Sequence, residues 1–282
     1  MENPLYLVTG ATDGIGKATA LALAQRGASV ILHGRDPDKA ERTMAEIQAA
    51  TGNAGLRFVL ADFAVLDDVA ALARQIGDEF PAVNVLINNA GLLTDHRQLS
   101  RDGFELTFAV NYLAPFLLTQ LLLDTLKTNA PARIVNVAST AMGGARLDLD
   151  DLQAERRFDG WQAYANSKLA NILFSRLLAE HLAGTGVVSN SLCPGLIDTN
   201  FFHTNELFAD GGYERLRPGM RTPQEGALVL LYLATSGEAG GISGEFFVRV
   251  GRDGRRSVPL DIDRDLAEGL WARSHEYVAD WL

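Results

Sequence analysis

Cysteine is nearly absent. The 282-residue chain carries one, Cys193, so no internal disulfide can form; stability has to come from packing, and the chain suits a reducing cytosol. A basic surplus is missing too. The 25 Lys and Arg are outnumbered by 35 Asp and Glu, a net charge of −10, which argues against a nucleic-acid binder, since that needs a basic footprint to displace counterions. Met1-Glu2-Asn3-Pro4 has no basic segment, and Leu5–Val8 is too short for a signal-peptide core. Apolar stretches such as Ala227–Ala234 fall well under the roughly 18 residues that span a bilayer. A cytoplasmic protein without a membrane partner is expected. His33, His96, His181, His203 and His275 have no ligand spacing, so no metal is expected, and no H-E-x-x-H occurs. The absence of a G-x-S-x-G turn disfavours a Ser-His-Asp hydrolase. The run Asp148-Leu149-Asp150-Asp151 reads as a solvated loop.

What remains is an average globular composition, 47% hydrophobic and 21% charged. Without repeats, low-complexity tracts or linkers, short β-branched runs alternate with segments of helical period. The strands expected are Leu5–Thr9, Ser29–His33, Leu56–Ala61, Asn84–Ile87, Arg133–Ala138, Val187–Cys193 and Glu245–Val248. Helices are expected over Ile15–Arg26, Asp38–Ala50, Val69–Glu79, Leu106–Thr128, Gln162–His181 and Pro223–Ala234. Strand–helix alternation needs crossovers, hence a parallel sheet with helices on both faces. The expectation is α/β: residues 1–282 as one doubly wound Rossmann domain of about seven parallel strands, with ligands outside the strands' carboxyl ends. The tail 262–282 reads as a helix, either capping the core or forming a pocket wall or subunit contact. The aromatic stretch 196–219, with Phe201, Phe202, Leu207, Phe208 and Tyr213, reads as a substrate lid or as ordinary core helices.

The chemistry starts at Thr9-Gly10-Ala11-Thr12-Asp13-Gly14-Ile15-Gly16-Lys17, between the first strand and the first helix. Glycines there let backbone approach a pyrophosphate, which the helix N-terminus stabilises. It is no Walker loop, because Ala18 stands where Ser or Thr is needed. Lys17 could add positive potential or simply be solvated. The second strand ends at His33-Gly34-Arg35-Asp36. Gly34 takes the place of the carboxylate that would repel a 2′-phosphate, and Arg35 could bind one. NADP(H) is therefore favoured, with NAD(H) open. Asp36 reads as starting a turn with Pro37. Asp62, in Ala61-Asp62-Phe63, could accept from an adenine amino group or cap the next helix. Asn88-Asn89-Ala90-Gly91 would let cofactor pass close to backbone while the amides tie strand ends.

Ser139 follows the fifth strand, and Tyr164 and Lys168 share a helix face at i, i+4. A phenol titrates near 10, too high for a base at neutral pH. A nearby ammonium and an oxidised nicotinamide both favour phenolate, so its pKa should fall. A drop of roughly three units corresponds to about 4 kcal/mol. Such a group can exchange a proton with a carbinol oxygen. Cys193 reads as an inert buried hydrophobe.

Thr-Gly-x-x-x-Gly-Ile-Gly at 9–16, Asn-Asn-Ala-Gly at 88–91, Asn111, Ser139, Tyr164-x-x-x-Lys168 and Pro194-Gly195 occur in one order. Over about residues 4–250 the chain resembles the short-chain dehydrogenase/reductase family. It is most similar to the retinol-dehydrogenase-like subgroup in its Ser139–Tyr164 interval, in Ser-Lys-Leu-Ala-Asn-Ile-Leu-Phe at 167–174, and in Leu270-Trp271. Pro223-Gln224-Glu225-Gly226-Ala227 and Leu233-Ala234-Thr235-Ser236 are like it too. The resemblance implies Tyr164 as general acid/base and Lys168 as the group that holds the nicotinamide ribose and lowers the Tyr164 pKa. Ser139 would bond the substrate oxygen, and Asn111 would organise its helix and a relay water. Cofactor contacts would come from Gly10, Thr12, Gly14, Ile15, Gly16, Arg35, Asp62, Phe63, Asn89, Ala90 and Gly91, and from Tyr164 and Lys168. Pro194, Gly195, Ile197 and Thr199 would meet the nicotinamide. Ala138 replaces a second serine of many relatives, and the anchor with which the membrane-bound members begin is not expected here. The function implied is alcohol–carbonyl interconversion on a fairly apolar small molecule; a homodimer or homotetramer is expected from the general preference of soluble oligomers. Two other classes stay open: a regulatory NADP(H) sensor without turnover, and a structural oligomer partner. Neither needs the intact Asn111, Ser139, Tyr164 and Lys168.

Overall fold

Leu5–Val8 (β1) is buried among continuous apolar runs, which places it at the centre of a sheet covered on both faces. In the computed structural model, which describes residues 3–203, 205–250 and 254–282, the chain passes through that sheet eight times. After β1 come α1 (Gly14–Gln25), β2 (Ser29–Gly34), α2 (Pro37–Thr51), β3 (Leu56–Leu60), α3 (Leu66–Glu79) and β4 (Val83–Asn88). A short α4 (Leu106–Phe108) widens into a π turn at Ala109–Leu113 and runs on as α5 (Ala114–Thr128). Then follow β5 (Ala132–Val137), α6 (Gly160–His181), β6 (Val187–Cys193), α7 (Asn200–His203) and α8 (Gly212–Leu216). The chain closes with α9 (Pro223–Thr235), β7 (Phe246–Val250), β8 (Gly254–Val258) and α10 (Arg264–Val278).

The strand order is β3-β2-β1-β4-β5-β6-β7-β8. Seven strands are parallel, as the alternation requires, but an eighth, unexpected strand pairs antiparallel with β7. The order of strand addition reverses between β1 and β4, which run parallel, and the crevice at that switch opens at the strands' carboxyl ends. One core packs α3, α5, α6 and α10 on the sheet through Phe116, Phe174, Leu117 and Leu178. A second packs α1 and α9 through Leu23, Leu230 and Leu233. Each such side chain contributes about 1.5–3 kcal/mol when fully buried.

The 23-residue stretch Leu106–Thr128 contains an 18-residue window of mean hydropathy 1.6 and is, by length and composition, long and apolar enough to cross a membrane, which corrects the expectation that no run reaches that length. In the fold 78% of that window is buried, against the sheet, α3 and α6. The tail helix caps the core and not the crevice. Trp271 packs on Phe116 and Phe174, and the Tyr112 hydroxyl meets Ser274 Oγ at 2.7 Å.

Candidate active site

The glycine turn is held from two sides. Thr9 Oγ1 accepts from the amides of Asn89 and Ala90, and Asn89 Nδ2 donates to the carbonyls of Thr9 (2.8 Å) and Gly10 (3.2 Å). Gly10 has φ +63°, a conformation glycine adopts without strain. A Cβ on Gly16 would lie 2.2 Å from the Gly10 carbonyl oxygen, so helix and turn meet as bare backbone. On the other side the Gly10 amide donates to His33 Nδ1 (3.3 Å), while His33 Nε2 donates to the Ala61 carbonyl (3.1 Å). With Nδ1 accepting, the ring is neutral, and burial pulls its pKa down to about 4. Phe63 stacks on it with 4.4 Å between ring centroids. Asn88 ties strand ends as expected, donating to Thr119 and Asn136.

At the outer end, Arg35 is two-thirds exposed, its guanidinium 4.0 Å from Asp62. Asp36 is occupied as the cap of α2, accepting from the Lys39 amide. Asp62 does not cap α3; it accepts from the Ala64 amide in a turn, and Val65 begins the helix without a side-chain bond. Lys17 is turned away and pairs with Glu46 on the solvated face. Asp13 caps α1 through the Gly14 amide at 2.7 Å and also meets Lys39 and Asn200.

A cleft of about 800 Å³ runs from Gly10, Thr12, Gly14, Ile15 and Gly16 to the far end of the sheet. Arg35, Asp62, Phe63, Asn89, Ala90, Gly91, Pro194, Gly195, Ile197 and Thr199 line it, as do Ser139, Tyr164 and Lys168. Lys168 Nζ donates to the Val137 carbonyl (3.0 Å) and lies 5.5 Å from the Tyr164 ring centroid. Burial lowers the Lys168 pKa to about 8. The Tyr164 pKa is raised, against expectation: burial outweighs the Ser139 hydrogen bond, which lowers it. The ammonium that should have lowered it is itself drawn to Val137. Ser139 Oγ also accepts from the Ala141 amide. Asn111 is buried behind the cleft, with its carboxamide bonded to both main-chain atoms of Leu92.

Of the 196–219 stretch, with Thr204 outside the described residues, Leu196, Ile197, Thr199, Asn200, Phe201, Phe202 and Asn205 line the cleft. Phe201 packs 5.2 Å from Tyr164, Phe202 meets Phe201 edge-on, and Phe208 tilts against Phe202. Trp161 closes the ring, 5.6 Å from Tyr164 and 6.3 Å from Phe208. Asn205 Nδ2 fastens this cover to the Leu93 carbonyl at 2.7 Å. Tyr213 faces away, bonded to Asp198 and packed on His203. Cys193 is buried as expected but borders the cleft, 3.6 Å from Thr140 Oγ1. Sequence reasoning missed His33, Trp161 and Asn205, which belong to no spaced motif; the only signal was the position of His33 at a strand end. Among the described residues no cluster of metal-ligating side chains exists.

A sheet with a glycine-lined helix start at its switch point, facing a Tyr–Lys pair beside a serine, defines a dinucleotide-dependent oxidoreductase site. The short chain dehydrogenase family model matches residues 5–208, and the chain belongs to that family. Within it the chain groups with the retinol-dehydrogenase-like members. It is 38% identical to retinol dehydrogenase 13 of Homo sapiens, over 96% of this chain and 83% of that protein. An uncharacterized protein from Mycobacterium Paratuberculosis matches with a TM-score of 0.75 at 30% identity, covering 98% of this chain and 93% of that one. A 3-ketoacyl-(acyl-carrier-protein) reductase from Brucella melitensis, solved with NADH, matches with a TM-score of 0.70 at 25% identity, covering 88% and 96%. The residues here fit a nicotinamide dinucleotide. Bare glycine backbone shapes the pyrophosphate cradle, and a Cβ on Gly34 would meet the Thr12 methyl at 2.6 Å, so that wall is backbone as well.

Proposed function

We propose that the protein is an NADP(H)-linked oxidoreductase that interconverts an alcohol and its aldehyde or ketone on a fairly apolar small molecule. One observation carries this reading: Ser139, Tyr164 and Lys168 converge on a cleft that has an anion cradle at one end and an aromatic cover at the other. Bound dinucleotide supplies the hydride in the reducing direction and accepts it in reverse. The Tyr164 phenol, kept neutral by burial, is then the proton donor to the substrate oxygen. Ser139 shares that oxygen and fixes its position. The Lys168 ammonium stabilises the phenolate left behind, and Gly10, Gly14 and Gly16 orient the phosphates. The 2′-phosphate preference is supported by Arg35, whose guanidinium is exposed, and by the absence of a carboxylate at Gly34. The aromatic cover suits extended apolar alcohols, a class that includes the retinol in the human relative's name.

The test is NADPH consumption with a panel of aryl, long-chain and small carbonyl compounds. Wild type turns over apolar members. Tyr164→Phe falls by about 10³-fold with NADPH affinity kept. A wild type that binds NADPH and reduces nothing would transfer the reading to a redox sensor.

A further inference from the structure

In the run Ser167-Lys168-Leu169-Ala170-Asn171, two polar residues, Ser167 and Asn171, have no part in the chemistry above. Asn171 is buried on α6, two turns beyond Tyr164 and three residues beyond Lys168. Its Nδ2 donates to the Asn111 main-chain carbonyl at 3.0 Å. In ordinary helical register that carbonyl would accept from the residue four positions on. That residue is Pro115, which has no N–H. The deficit falls where the backbone widens into the π turn Ala109–Leu113.

Asn111 is gripped from its side chain as well. Its Oδ1 accepts from the Leu92 amide (2.7 Å), and its Nδ2 donates to the Leu92 carbonyl (2.9 Å) and to Ser167 Oγ (3.0 Å). Ser167 Oγ in turn donates to the Tyr164 carbonyl at 2.7 Å. Opposite, a Cβ on Gly91 would sit 3.3 Å from Asn111 Oδ1 and 3.5 Å from Lys168 Nζ, so both groups converge on that bare backbone. One face of α6 thus carries Tyr164 and Lys168 toward the cleft, while Ser167 and Asn171 hold Asn111 behind it.

We infer that Asn171 is a positioning residue. By donating to the carbonyl that Pro115 leaves without its helical partner, it locks the π turn to α6 and fixes the register between Asn111 and the Tyr164–Lys168 turn. The inference rests on the oxidoreductase reading of this site. A residue that only filled the core would contribute to stability; this one sets the rate.

The experiment compares Asn171→Leu, which keeps the volume and loses the donor, with Asn171→Gln, which keeps a donor. In Asn171→Leu, kcat falls about 30-fold with KM for the carbonyl and Kd for NADPH within about threefold. Asn171→Gln recovers to within about fivefold of wild type. Amide hydrogen exchange over residues 109–116 of the free protein rises about tenfold or more in Asn171→Leu and less in Asn171→Gln. This exchange needs neither substrate nor cofactor, so it decides the clamp even if wild type turns over nothing, which would sink only the reading of the activity. An Asn171→Leu protein with wild-type exchange and kcat within twofold overturns the inference. Equal losses in both variants, with NADPH binding falling in parallel, overturn it too. If Asn171→Leu does not fold, Asn171→Ala is read in its place. If neither folds, Asn171 is a stability residue and the inference fails.

Discussion

The two ends of the cleft are built by opposite means. At the β1–β3 end, main chain does the work: bare glycines, turn amides and a helix start, tied by Thr9, His33 and Asn89. At the β5–β6 end, long side chains meet from separate elements, with Ser139 after β5, Tyr164 and Lys168 on α6, and Phe201 from the cover. The first construction fixes the shape of a ligand that never changes. The second exposes chemistry and specificity to single substitutions, and the two ends should therefore fail differently.

Lys168→Ala breaks the side-chain end with the largest effect. Loss of the buried ammonium lowers kcat/KM by about 10³-fold, whereas melting temperature holds or rises because an ion leaves a low-dielectric site. Steady-state kinetics and calorimetry read both. At the main-chain end the comparable change is one of stability. His33 stays neutral in the fold down to about pH 4, whereas an unfolded chain protonates it near its ordinary 6.5. Its contribution is whole above pH 6.5 and is lost as pH falls to 4, about 3 kcal/mol in all. Denaturant melts across that window should be flatter for His33→Gln than for wild type. Arg35→Asp sharpens the division further: NADPH affinity drops about 30-fold while NADH changes less than about threefold. Equal losses for both dinucleotides would remove the 2′-phosphate assignment. The smallest change is Phe201→Ala at the cover, with KM for aryl or long-chain carbonyls up about tenfold and small ketones unaffected.

The same contrast explains what the sequence disclosed. Gly10, Gly14 and Gly16 at a strand–helix junction are local, and so is the Tyr164–Lys168 spacing; both were legible, as were the seven parallel strands. β8 was not, because Gly254-Arg255-Arg256-Ser257-Val258 has neither an apolar run nor alternation, and its pairing is set by β7. The π turn at Ala109–Leu113 changes a register, not a composition. His33 and Asn205 join the site through tertiary contacts 23 and 112 residues apart, Gly10 to His33 and Leu93 to Asn205, and Trp161 joins through Phe208 as well as its helix neighbour Tyr164. The direction of the Tyr164 pKa was misread because burial cannot be weighed from spacing. In the folded site it outweighs the Ser139 hydrogen bond that lowers it.

The apolar stretch Leu106–Thr128 bears on how the chain is made. Its cover comes from both directions in the sequence, with α3 and β4 before it and β5, α6 and α10 after it. As the ribosome extends the polypeptide, this greasy span emerges some fifty residues before α6 is complete. For that interval it presents to the cytosol and to the secretory machinery the same face as a bilayer-spanning segment. Swift docking onto the half-built sheet, or shielding by a chaperone until α6 arrives, is what keeps it inside the protein.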